Sequence, residues 1–323
     1  MPPVVRNFGT HRDGSTVEAA RISAHGPTIE VMTHGASLMR LEPDGGRSLV
    51  LGFETYQDYL DRGRHFGAIV GRYANRIGGA RAVIGGEVRL LDRNWRGQHL
   101  LHGGDDGTGG RNWRIAEAGE DSVALTDHLP DGHMGFPGGL DVRVTYRILP
   151  GPVLEIVIEA VTDAPTLCNF AQHGYFNLTG GDSIADHLLT IPAEAYTPVD
   201  ADLIPTGAVE PVQHTRFDFR QPTRLGAQMA RGLLDHNLCL ATSRQPCRAV
   251  AHLTAPGASH ALTICSTEPG LQIYDGTHLG HRGIALEPQL WPDAPNHPGF
   301  PDAGLAPGET YRQVTRFVIS RPG

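Results

Sequence analysis

The sequence contains no lysine: all 27 of its basic residues are arginine. Chemistry that needs a lysine amine is therefore excluded, including Schiff-base aldolases, pyridoxal-phosphate enzymes, phosphate-loop NTPases and protein kinases. Long apolar runs are also missing. None approaches the ~18–20 residues of a membrane span, so no membrane partner is expected. The arginines form no dense stripe, and the formal net charge of −8 at pH 7 opposes a polyanionic partner. Nucleic acid is therefore not expected. Cysteine is scarce: Cys168, Cys239, Cys247 and Cys265 have neither the density of a disulfide framework nor a CxxC spacing. The opening residues, Met1-Pro2-Pro3-Val4-Val5-Arg6, carry no charged-then-apolar signal pattern. Together these absences predict a soluble protein of a reducing, cytoplasmic compartment.

Its 323 residues suffice for a sizeable core. Period-two alternation dominates. In Leu140-Asp141-Val142-Arg143-Val144-Thr145-Tyr146-Arg147-Ile148 every even position is apolar and every odd one polar, which places one face on a core. Pro150-Gly151-Pro152 then turns the chain into a second strand, Val153–Val161, predicting a hairpin. Further strands are expected at Thr28–Met32, Ser48–Gly52, Ala82–Leu90, Ser122–Thr126, Leu188–Pro192, Ala249–Leu253, Ala261–Ser266, Leu271–Asp275 and Tyr311–Ile319. Only Glu54–Asp61 and Thr223–Met229 read as helical. Many strands with little helix indicate an all-β antiparallel sandwich or barrel. With no repeat or linker in view, residues 1–323 are expected to form a single domain.

Several polar side chains interrupt glycine-rich or apolar surroundings. Glu287 ends the run Gly283-Ile284-Ala285-Leu286 and precedes proline. Partial desolvation there raises a carboxyl pKa toward that of a general base, although a strand-end glutamate can equally cap an arginine. His173 lies among Phe170, Tyr175 and Phe176, as an acid or as a satisfied core residue. His102, between a leucine pair and a glycine pair, either faces a ligand or packs a turn. Asp235-His236-Asn237 is also a common loop combination, and Arg76 suits either a sugar hydroxyl or an acid on the next strand. Although there are 17 histidines, no His/Cys cluster has metal-ligand spacing; His278 and His281, three apart, do not align on a strand. No metal is expected.

In order along the chain, these segments resemble the aldose 1-epimerase (galactose mutarotase) family. The similarity begins at Thr33-His34-Gly35-Ala36-Ser37-Leu38 and at Val50-Leu51-Gly52-Phe53 with Tyr56, Tyr59 and Leu60. It continues through Gly71-Arg72-Tyr73-Ala74-Asn75-Arg76-Ile77, Leu101-His102-Gly103-Gly104 and Gly135-Phe136-Pro137-Gly138. His173-Gly174-Tyr175-Phe176-Asn177-Leu178, Tyr196-Thr197-Pro198-Val199-Asp200 and Ile204-Pro205-Thr206-Gly207 complete it. Each motif alone is weak to moderate; so many in register are a strong signal.

The resemblance implies a large antiparallel β-sandwich, the galactose mutarotase-like supersandwich, and interconversion of the α and β anomers of a free aldose. It implies His173 as general acid and Glu287 as general base. Asn75, Arg76, His102, Tyr175, Asp235 and Gln272 would contact sugar hydroxyls. Such a reaction needs an acid and a base flanking the anomeric centre, each within ~2.6–3.2 Å of its proton partner. It needs no cofactor. A monosaccharide is the expected partner of a monomer or homodimer. Two other readings share the fold: a hexose-6-phosphate epimerase using Arg72, Arg111 or Arg114 for the phosphate, and a non-catalytic carbohydrate-binding protein. Gln172, Pro288 and Asp275 depart from the family pattern beside the site and bear on sugar preference.

Overall fold

The computed structural model describes residues 2–63 and 65–322. The Leu140–Leu149 and Val153–Thr162 strands pair antiparallel along their whole lengths, from Leu140 opposite Thr162 to Leu149 opposite Val153. Their alternation is realised as burial. Leu140, Val142, Val144, Tyr146 and Ile148 on one strand, and Leu154, Ile156, Ile158 and Ala160 on the other, face inward. Each such aliphatic or aromatic side chain contributes about 1.5–3 kcal/mol by leaving water.

This hairpin lies within a nine-stranded sheet. The order is Arg114–Ala118, Ser122–Leu129, Leu140–Leu149, Val153–Thr162, Tyr311–Ser320, Ala261–Ser266, Arg248–Thr254, Leu188–Thr190 and Thr223–Arg224. The last long strand in the sequence, Tyr311–Ser320, thus occupies the middle of the sheet, paired on both sides. A six-stranded sheet packs over it, ordered Tyr175–Phe176, Ile284–Gln289, Gly270–Tyr274, Asp235–Cys239, Ala195–Tyr196 and Glu210–Pro211. Leu238, Leu271, Ile273, Ile284 and Leu286 of the smaller sheet share one core with the inward face of the larger. Phe176 meets Phe317 edge-on across the gap, ring centroids 5.1 Å apart. The architecture is the expected sandwich. A four-stranded sheet, Val4–Thr10, Thr16–Ser23, Thr28–Met32 and Ser37–Glu42, adds to it.

Most expected strands lie within a few residues of those observed, with two corrections. Ser48–Gly52 makes only an isolated bridge at Val50. There the Ser48 hydroxyl accepts from the N–H groups of Leu41 and Val50 and donates to the Val50 carbonyl, competing with a regular ladder. Ala82–Leu90 is a hairpin of two strands, Arg81–Ile84 and Glu87–Leu90. Gly85 and Gly86 both have positive φ, +60° and +83°, the geometry of a two-residue turn that glycine permits. The first helix runs Tyr56–Arg62 because Thr55 caps it, its hydroxyl accepting from the Asp58 N–H. The second is Leu225–Met229.

Alternation also sets the far face of the smaller sheet. With Leu271, Ile273 and Leu286 pointing into the sandwich, Asp235, Asn237, Gln272 and Glu287 point the other way. Cross-strand pairing aligns Asn237, Gln272 and Glu287 in one row. All six residues of Ile284–Gln289 are buried, so this polar face is covered as well.

Candidate active site

Three segments meet over that polar row. Asp235 accepts from Gln272 Nε2 through one carboxylate oxygen and from Arg76 Nη2, at 3.1 Å, through the other. The arginine is aimed by its neighbour. Asn75 sits at φ +62° and its Oδ1 accepts from both the backbone N–H and Nη1 of Arg76, at 2.9 and 3.3 Å. Asparagine tolerates that left-handed backbone better than most side chains. The Arg76 guanidinium also lies over the Trp95 ring, 4.8 Å from its centroid.

Pairing of Arg76 with Leu101 brings in His102. Its backbone N–H donates to the Asn75 carbonyl at 2.9 Å, and its Nδ1 accepts from the Asn75 N–H at 3.1 Å. Nδ1 as an acceptor places the proton of the neutral ring on Nε2. Asn75 and His102 are therefore a reciprocally locked pair, both buried.

Opposite them stand His173 and Glu287, with His173 Nε2 3.6 Å from Glu287 Oε1. Glu287 is 2% exposed and His173 6%. Neither Glu287 Oε2 nor His173 Nδ1 has a hydrogen-bond partner among the described residues. Burial pushes the Glu287 carboxyl well above the usual carboxylate range; the Asp235 charge adds to that push and Arg76 opposes it. Burial pushes His173 down to about 4. Both groups thus favour their neutral forms. A protonated Glu287 beside a neutral His173 holds as many protons as an ionised Glu287 beside a cationic His173.

These side chains line a cavity of about 460 Å³. Seven of the eight residues expected at the site, Asn75, Arg76, His102, His173, Tyr175, Asp235 and Glu287, form its wall. Gln272 stands behind Asp235 and holds it. His65, Trp95, Leu101, Leu203, Leu233, Tyr274, Thr277 and His278 also line the cavity and lie outside the expected set. Leu101 adjoins His102 and Tyr274 lies two residues beyond Gln272, so proximity in sequence is a signal for them. Trp95 and Leu203 lie in irregular connections, where no periodicity reports a direction.

The three departures beside the site do not line it. Gln172 is committed to backbone, donating to the Gly67 carbonyl and accepting from the Gly174 N–H, both at 3.0 Å. Asp275 accepts from the N–H groups of Leu234 and Thr277. Pro288 stands in Ile284–Gln289 beyond the two residues that pair with Tyr175–Phe176, where its missing N–H breaks no rung on that side. The phosphate candidates are elsewhere too. Arg72 is buried against the Gly138 carbonyl and Thr166, Arg111 is paired with Asp106 and Asp127, and Arg114 lines a groove on the larger sheet. Among the described residues no group of three His, Cys, Asp or Glu side chains could hold a metal ion.

A buried carboxyl and imidazole 3.6 Å apart, in a cavity walled by hydroxyl-directing amide, guanidinium and carboxylate groups, fit acid–base chemistry on a polyol. Comparison with known proteins makes the class specific. The aldose 1-epimerase family model matches residues 19–318. A galactose mutarotase of Mus musculus is 38% identical, over 95% of each chain. An aldose 1-epimerase of Escherichia coli (strain K12) is 33% identical, over 90% of this chain and 92% of its own. Among solved structures, an aldose epimerase homologue from C. elegans superposes with a TM-score of 0.88 at 30% identity, covering 94% of this chain and 98% of its own. The chain belongs to the aldose 1-epimerase family. It is an isomerase that interconverts the α and β anomers of aldoses. No helix among the described residues is long and apolar enough to cross a membrane.

Proposed function

We propose that Glu287 and His173 carry the reaction as base and acid. The observation supporting this is the buried pair at the cavity wall, 3.6 Å apart, with no arginine bonded to the carboxylate among the described residues. Glu287 takes the proton from the anomeric hydroxyl as C1=O1 forms. The C1–O5 bond breaks, and O5 takes its proton from His173. The two groups stand in contact rather than on opposite sides of an anomeric centre as expected; O1 and O5 share one carbon, and a bound sugar replaces the His–Glu contact with contacts of its own. The first step converts an ionised Glu287 and a cationic His173 into two neutral groups, the direction that burial favours. After rotation about C1–C2 the ring recloses on the other face. His173 then recovers the O5 proton, and Glu287 returns its own to O1.

Asn75, Arg76, His102, Tyr175 and Asp235 are proposed to direct the remaining hydroxyls, with Gln272 fixing Asp235. Free galactose is the proposed substrate, from the names of the relatives. Placement of Arg72, Arg111 and Arg114 away from the cavity supports the unphosphorylated sugar. The same reading takes residues 1–323 as one domain, a monomer or homodimer in the cytoplasm, with which four unpaired thiols agree. Polarimetry of freshly dissolved α-D-galactose tests the proposal. The enzyme should relax the rotation far faster than buffer, and His173→Ala or Glu287→Gln should return it close to the buffer rate. Full activity in both variants would refute the assignment.

A further inference from the structure

The rim of the cavity is chemically divided. Trp95, Leu101, Leu203 and Leu233 make one part apolar, whereas Thr277 and His278 make another polar. The polar part comes from the short connection between the Gly270–Tyr274 and Ile284–Gln289 strands, and both of its residues are exposed. His278 is nevertheless held firmly. Its ring stacks on Tyr274 with 9° between planes and 5.5 Å between centroids, and stands edge-on to Tyr175 at 5.7 Å. Asp275 ties the base of the connection through Leu234 and Thr277, and His281 Nδ1 bonds the Asp275 carbonyl.

The hydrogen bonds are compatible with a ring proton on Nε2. The Tyr274 hydroxyl lies 2.8 Å from His278 Nδ1 and accepts from the His278 backbone N–H at 3.4 Å. With that N–H directed at its oxygen, the hydroxyl can give its own hydrogen to Nδ1. In that tautomer Nδ1 is an occupied acceptor and Nε2–H is a donor that the tyrosine does not use. Desolvation lowers the His278 pKa, in keeping with a neutral ring at pH 7.

We propose that His278 is a specificity-determining, substrate-binding residue whose Nε2–H donates to a sugar hydroxyl at the cavity mouth, remote from the anomeric carbon. This rests on the cavity being the sugar site, as proposed above. A donor held by two aromatic rings and a hydroxyl loses little rotational freedom on binding, so it discriminates between sugars that present that hydroxyl and sugars that do not.

The test pairs deletions in enzyme and sugar. Mutarotation of D-galactose and of its 2-, 3-, 4- and 6-deoxy forms is followed for wild type, His278→Phe and His278→Gln. Phenylalanine keeps the ring stack and removes the donor; glutamine restores an N–H. His278→Phe is expected to raise KM for galactose about tenfold with kcat within twofold. For one deoxy sugar the same substitution should change nothing, because its partner is already gone, and His278→Gln should recover part of the loss. Unchanged KM in His278→Phe, or an equal rise for every sugar, would overturn the inference. His173→Ala run alongside separates the two readings: if it retains full activity, the site assignment itself fails. If it is inactive while His278→Phe behaves as wild type, only the role of His278 falls.

Discussion

Two fully buried glutamates receive opposite treatment in this protein. Glu268, after the Ala261–Ser266 strand, bonds Arg244 Nε through Oε1 at 2.8 Å, and that guanidinium stacks on the Tyr311 ring at 4.5 Å. Among the described residues Glu287 bonds no cation, and it lies 3.6 Å from an imidazole that is itself pushed toward neutrality. Burial raises both carboxyl groups. In one case a nearby arginine offsets the rise, and in the other Asp235 increases it. A carboxylate paired this way is held by its cation and serves the fold. One left without a cation can exchange a proton, at a cost to stability.

Activity should separate the two glutamates most widely. Glu287→Gln and His173→Ala should each lower kcat by about 10²–10⁴-fold, the usual size of a lost acid or base, whereas Glu268→Gln should leave mutarotation within about twofold. Equal losses at the two glutamates would end the distinction. Stability should respond the other way. Arg244→Met strands the Glu268 charge and should cost about 3 kcal/mol in urea unfolding at pH 7. Because the folded pKa of Glu268 then lies higher still, the loss should shrink as pH falls toward the unfolded carboxyl value.

A smaller effect is expected in the stability of the other glutamate's variant. Glu287→Gln should be more stable than wild type by about 1 kcal/mol near pH 8. Glu287 has a raised folded pKa, so its stabilising share is present at low pH and lost as pH rises through that value. The advantage of the glutamine variant should therefore vanish in acid. Calorimetry at pH 4 and pH 8 checks it.

The subtlest effect is on the pH–rate profile. The active pair holds one proton, so kcat/KM should be bell-shaped, with an acid limb near the His173 value of about 4. Its alkaline limb should lie above the ordinary carboxylate range. Asp235→Asn removes a charge that raises Glu287 and leaves Arg76 free to lower it, so the alkaline limb should move down. An unmoved limb would show that Asp235 does not act on the base.

The division between legible and illegible residues has a physical origin. The Leu140–Leu149 hairpin is readable because strand period and turn chemistry are local. Glu287 is readable because a charge closing an apolar run is anomalous wherever the strand goes. Asp235 looks like an ordinary polar loop residue, yet it opens the Asp235–Cys239 strand and bonds Arg76, 159 residues away in sequence. Only closure of the sheet reveals that contact. Trp95, Leu203 and Leu233 reach the cavity from irregular or exposed segments placed by distant packing, so local pattern says nothing of them.

The position of Tyr311–Ser320 in the middle of the larger sheet bears on how the molecule is made. Its neighbours, Val153–Thr162 and Ala261–Ser266, cannot be joined until residues near 320 have emerged from the ribosome. Until then the nascent chain displays two unzipped hydrogen-bonding margins, the kind of surface that invites aggregation. Non-local pairing of this sort slows folding as well. Closure of the larger sheet therefore waits on the Tyr311–Ser320 strand, which seals both margins at once.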